Sequence, residues 1–149
     1  MSGSATTSED RETLDKSDYE TLAAFRHQLR HFLAFSQAAA RSVGLTPRQH
    51  QALLCIIGNP GRETATISEL ANYLLIQHHS AVELVDRLVA LGLVNREQDK
   101  TDKRKVLISL TPAARERLKH MSVAHIAELR RIGPQLARLL ASFGDAAGG

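Results

Sequence analysis

Residues 98–111 read QDKTDKRKVLISLT, and their first half gathers Lys100, Lys103, Arg104 and Lys105 around Asp99 and Asp102. Lysines on a short tip can meet phosphates and release counterions. The guanidinium of Arg104 suits a minor groove, where a narrow cleft concentrates negative potential. Asp102 lies two residues earlier, on the same face of an extended strand, and can hold that guanidinium in position. Taken alone, the run also fits a solvated hairpin whose aspartates neutralise its lysines. A second polar group, Gln77, His78, His79 and Ser80, follows a short apolar segment. Glutamine pairs with adenine N6 and N7, an imidazole can donate to guanine N7 or a phosphate, and serine serves base or backbone. Thr66 and Ser68 open the preceding segment, where free N–H groups and the helix dipole favour an anion. Arg87 sits about two helical turns beyond Ser80, directed at a DNA backbone or at ion pairs involving Asp86.

Other candidate chemistry is weaker. Cys55 lies between Leu54 and Ile56, so an inert buried thiol is expected rather than a sensing thiolate, which needs a basic, accessible setting. Of seven histidines, His27 and His31 are spaced i, i+4, which can bridge a metal, but no cysteine or carboxylate cluster stands near them. We therefore assign no metal site and no cofactor. His27, His31 and His50 are instead candidates for a pocket that takes an anionic or aromatic effector. No phosphate-cradling glycine loop, nucleophile elbow, HExxH or paired-carboxylate motif is present, so no enzyme is expected.

The elements that must position these residues follow from start and stop signals. Ser17-Asp18-Tyr19-Glu20 reads as a capping box before a helix with Leu22, Phe25, Leu29, Phe32 and Leu33 on one stripe, closed by Gly44. Ala24, His27, His31, Ala34 and Ala38 form a second face on which another helix can approach closely. Thr46-Pro47-Arg48-Gln49 starts the next helix, which ends at Gly58-Asn59-Pro60-Gly61. Thr66-Ile67-Ser68-Glu69 starts a short helix, and a longer one follows from about Gln77 to Leu91, with Gly92 beyond it. Two helices in this arrangement form a helix-turn-helix. Leu93–Glu97 and Lys105–Leu110 read as a hairpin around the charged tip. Thr111-Pro112 opens a long helix that Gly133-Pro134 is expected to break, with a last helix beginning at Pro134.

The segment TISELANYLLIQHHSAVELVDRLVALGLVNREQDKTDKRKVLISLT resembles the core of MarR-type transcriptional regulators. The matching residues are Ser68–Ala71, Leu84–Leu88, Gly92–Val94, Asp102, Arg104 and Ser109–Thr111. The motif match covers about 64–112, and the likeness in architecture about 17–143. The resemblance implies an obligate dimer, a cytosolic bacterial or archaeal regulator, a short palindromic operator and a small-molecule pocket. One departure is Glu83, where the family often carries a basic residue; the wing then carries more of the binding.

The expected fold is mainly α: a winged helix-turn-helix DNA-binding domain with N- and C-terminal dimerisation helices. Residues 1–16 are read as a disordered tail and 144–149 as a frayed one. Residues 17–143 form a single domain, with dimerisation helices at 17–44 and 112–143 and the winged helix-turn-helix lobe at 46–111. The chain has 149 residues, 43% hydrophobic and 4% aromatic, so its core must be aliphatic. A formal net charge of +3 permits a polyanionic partner. One cysteine fits a reducing compartment, and no apolar run approaches the ~18 residues of a membrane span. The expected partners are double-stranded DNA, a second copy of the chain and a small-molecule effector, with no membrane. The expected function is a cytoplasmic, ligand-responsive repressor acting as a homodimer on a pseudo-palindromic operator. The alternatives are a winged-helix protein-interaction module without DNA binding, and a metal-dependent sensor using histidines.

Overall fold

The computed structural model describes residues 13–143; the terminal segments 1–12 and 144–149, including most of the expected tails, lie outside the described residues. The elements are α1 (Lys16–Ser42), α2 (Pro47–Ile57), β1 (Thr64–Ala65), α3 (Ile67–Leu74), α4 (His78–Ala90), β2 (Val94–Gln98), β3 (Val106–Leu110) and α5 (Pro112–Ser142). They divide into two compact units, 13–33 with 128–143, and 34–127.

The second unit holds the core. Leu53, Ile56, Leu70, Val85, Leu88, Leu93, Ile108 and Met121 are all fully buried there. These are aliphatic side chains at helical or alternating spacing, so each element turns one face inward. Three threonines set where helices begin. Thr46 forms a full capping box: its side chain accepts from the Gln49 N–H and the Gln49 side chain accepts from the Thr46 N–H. Thr66 accepts from the Glu69 N–H, and the Glu69 carboxylate accepts from the Thr66 hydroxyl. Thr111 accepts from the Ala114 N–H and donates to the Gly92 carbonyl at 2.7 Å, which ties the end of β3 to the end of α4.

The sheet is antiparallel in the order β1-β3-β2. Ile108 is paired with Arg96 on one side and Ala65 on the other. The hairpin β2–β3 is as the alternation suggests, whereas β1 is a third strand that the sequence reading lacks. With two residues, β1 is too short to show any periodicity.

Four further differences have local causes. The helix α1 starts at Lys16, because Asp15 rather than Ser17 is its cap: the Asp15 carboxylate accepts from Asp18 N–H and the Asp18 carboxylate from Asp15 N–H. Gln77 stands outside α4 as its cap residue and makes no side-chain cap bond. The turn between α3 and α4 is closed by Leu75 at φ +56°, where a glycine would be expected. Its N–H reaches Asn72 and the Ile76 N–H reaches Ala71, so the helix-ending bonds hold a left-handed leucine in place. The largest difference is α5, which runs unbroken through Pro134. Pro134 removes one N–H and crowds the carbonyl four residues back, but the residue before it, Gly133, has no Cβ to collide with the proline ring, and the rest of the long helix sustains it.

Candidate nucleic-acid interface

Three elements of the second unit converge on one cleft of about 410 Å³. Thr66 and Ser68 come from the start of α3, His78 from the start of α4, and Arg104, Lys105 and Val106 from the base of the wing. Two helix N-termini supply free N–H groups and positive dipole ends, and two cationic side chains face the same space. The one acid in the cleft, Glu69, is already engaged. Its Oε2 accepts from Asn59 and Arg62, both at 2.6 Å. Burial pushes its carboxyl up, but the bonds from Asn59 and Thr66 and the charge of Arg62 outweigh this and hold it below the usual range. Glu69 thus stays ionised while its charge is met from within the fold.

A second cleft, of about 360 Å³, lies between the start of α2 and α4. It is lined by Thr46, Arg48, Gln49, Ser80, Glu83, Leu84 and Arg87. Ser80 and Arg87 were expected here and Arg48 was not. A cation in the first turn of a helix opposes the dipole, which is the one signal in the sequence that marks Arg48 as placed for another reason. Arg87 does not pair through Asp86, which is bonded to Arg96 on β2. Glu83 shares the cleft with both guanidiniums, so its carboxylate sits in cationic surroundings.

The wing is built on its aspartates. Asp99 accepts from the Thr101 N–H and hydroxyl, both at 3.0 Å, and these bonds hold its carboxyl below the usual range. Asp102 accepts from the Arg104 N–H at 3.1 Å and stands 3.6 Å from the Arg104 Nε. The short bond is to backbone, and the guanidinium is 95% exposed. Asp102 therefore shapes the turn more than it clamps the side chain, since an exposed pair contributes ~1 kcal/mol at most. Lys100, Lys103, Gln77, His78 and His79 are all exposed.

The histidines fall into two separate places. His27 and His31 belong to the first unit, with their Nε2 atoms 3.0 Å apart. His50 belongs to the second, buried against His125 with ring centroids 5.0 Å apart. His125 in turn bonds the Met121 carbonyl at 2.7 Å and the Ser36 hydroxyl at 2.8 Å. This contact brings His125 of α5 to residues of α1 and α2 more than 70 positions away in sequence, which no local pattern could show. Burial, then the neighbouring His125, lowers the affinity of His50 for a proton below its ordinary value of 6.5. Unfolded His50 therefore takes up a proton at higher pH than folded His50 does. Its contribution is complete above about 6.5 and declines as pH falls below that value. Urea titrations at pH 7.5 and 5.5 are expected to show a lower midpoint at 5.5, with the gap narrowed in His50→Gln. Cys55 is buried, and burial, then Glu69, pushes its thiol up, so it remains protonated. Among the described residues no helix is long and apolar enough to cross a membrane.

Residues 43–105 match the family model described as the MarR family. The HTH-type transcriptional regulator YcgE of Bacillus subtilis is 36% identical over 87 residues, 58% of this chain and 54% of that protein. The chain spans about half the length of the curated relatives it matches. Among solved structures, RV1404 from Mycobacterium tuberculosis is 27% identical, with a TM-score of 0.69 over 92% of this chain and 99% of that one. The multiple antibiotic-resistance repressor MarR from Listeria monocytogenes is 22% identical and shares the fold, with a TM-score of 0.65 over 85% of this chain and 97% of that one. The matched residues include α2, both helices of the helix-turn-helix, β2 and the wing tip, so this part of the chain is similar to the MarR family, and the chain as a whole has the fold of its winged helix-turn-helix neighbours.

Proposed function

We propose that the protein is a transcriptional regulator that binds double-stranded DNA sequence-specifically as a homodimer. The observation that carries this reading is the cleft in which Thr66, Ser68, His78, Arg104 and Lys105 meet. Its N-termini and cations suit phosphate, while the exposed first turn of α4 is the part of such a helix that reaches base edges. The wing then reaches the adjacent minor groove through Arg104, and Arg48 and Arg87 hold the backbone on the other side of α4.

Dimerisation is supported by the first unit. Only one large apolar side chain of its described residues, Ile132, is buried, whereas Leu22, Leu29, Leu33, Leu129 and Leu140 are exposed. On α1 the open leucines lie on the side opposite the alanine face expected to carry the contact, and they offer far more apolar area. A twofold pairing would bury it on both copies at once. Two α4 helices would then address half-sites about one helical turn apart, ~34 Å. Repression is the action named for the Listeria neighbour, and we extend it to this chain. A small effector would weaken DNA binding by favouring a dimer whose α4 helices no longer match that spacing.

Arg104→Ala tests the assignment. Its affinity for a bound duplex is expected to fall, and its salt dependence to flatten by about one unit of log–log slope. Fluorescence anisotropy across a salt series reads both. An unchanged affinity and slope would remove Arg104 from the interface.

A further inference from the structure

We propose that His27 and His31 form a bidentate surface site for a late divalent transition-metal ion, Cu²⁺ in preference to Ni²⁺ and Zn²⁺. The two residues lie one turn apart in the middle of α1, an unbroken helix, and both rings are exposed. Side chains at i and i+4 are neighbours on a helix surface. Here the Nε2 atoms have closed to 3.0 Å, with the rings at 90° and their centroids 4.4 Å apart. Without a metal, one imidazole donates a proton to the other's lone pair. A modest rotation of both rings turns the two lone pairs to a common point beside that line, where an ion replaces the shared proton.

The ligand type sets the kind of ion: imidazole nitrogens suit copper, nickel and zinc, and the short spacing of the two rings lets both reach one ion. No group of three or more histidine, cysteine or carboxylate ligands occurs among the described residues, so water fills the other positions and the ion exchanges readily. With imidazole ligands alone, affinity follows the order that places Cu²⁺ highest.

No other histidine pair offers this. His78 and His79 are adjacent in sequence and so do not face each other on a helix. In the buried pair, both ring nitrogens of His125 are committed to Met121 and Ser36. The site is also independent of the DNA-binding reading, because it lies in the other unit and is assayed without DNA.

The test is a titration of the full-length, DNA-free chain with Cu²⁺, Ni²⁺ and Zn²⁺ by calorimetry, with electron paramagnetic resonance of the Cu²⁺ form. One site per chain is expected, with Cu²⁺ bound more tightly than either Ni²⁺ or Zn²⁺ and with two-nitrogen hyperfine structure. His27→Gln and His31→Gln should each weaken Cu²⁺ binding by ~100-fold or more, the lower end of what a second tethered ligand adds. Both exposed substitutions keep a helix-compatible side chain, and circular dichroism checks the fold. The double variant His78→Gln/His79→Gln should bind as the parent does. Equal affinity in the His27 and His31 variants, tighter binding of Zn²⁺ than of Cu²⁺, or no binding at ~100 μM metal would overturn the proposal.

Discussion

Ile108→Ala is expected to destabilise the second unit by ~2–5 kcal/mol, the cost of removing a large aliphatic side chain from a packed core. Ile108 is fully buried at the centre of β3, between β1 and β2. Its side chain joins the same core as Leu53, Leu70 and Val85, so the cavity left behind would open under three elements at once. Domains of this kind are stable by only ~5–15 kcal/mol, so one substitution removes a large share. Urea unfolding followed by circular dichroism measures it. Val106→Ala on the same strand is the control, since Val106 is exposed and its loss should shift stability by well under half as much. Wing function should suffer with Ile108→Ala, because β3 carries the register that places Arg104 and Lys105 beside α3. Equal stability of the two variants would show that the sheet is not part of the cooperative core.

Leu33→Glu is expected to convert a dimer into a monomer and to lower affinity for a two-half-site duplex by ~100-fold or more, since the second half-site no longer binds as a tethered event. Leu33 is 53% exposed on α1, on the same open stripe as Leu22 and Leu29. Each buried leucine contributes roughly 1.5–3 kcal/mol, and a twofold axis counts each position twice. A carboxylate at that place would have to be desolvated in both copies. Light scattering reads the mass directly, and Leu129→Glu, at a position 44% exposed on α5, should behave alike. A Leu33→Glu chain that remained dimeric would move the contact to another face.

The sequence made the helix starts and the helix-turn-helix legible for a local reason. Thr46, Thr66 and Thr111 each bond an N–H within three residues, so a cap is written in neighbouring letters. The polar first turn of α4 and the charged wing were legible in the same way. What stayed hidden is tertiary. The strand β1 exists only because Thr64 and Ala65 meet Ser109 and Ile108 from over 40 residues away. Arg48 joins Ser80 and Arg87 only once α2 packs near α4, and His50 meets His125 only through the fold. At Pro134 a local rule was outweighed, because the preceding glycine removes one of the proline's two clashes and the rest of α5 sustains the helix. The Asp102–Arg104 spacing suggests a side-chain contact, and Asp102 makes both a loose pair with the guanidinium at 3.6 Å and a shorter bond to the Arg104 backbone, which local spacing does not show.

The central claim is that the α3–α4–wing surface reads a specific duplex. Its most direct test is competition anisotropy on the full chain at ~150 mM salt, using duplexes tiled across the DNA flanking its own gene against a scrambled duplex of equal length. One tile is expected to bind two chains with a preference of ~10³-fold or more over the scrambled sequence, the range of specific recognition. Equal affinity for every duplex, or no binding even at ~50 mM salt where phosphate contacts are strongest, would contradict it.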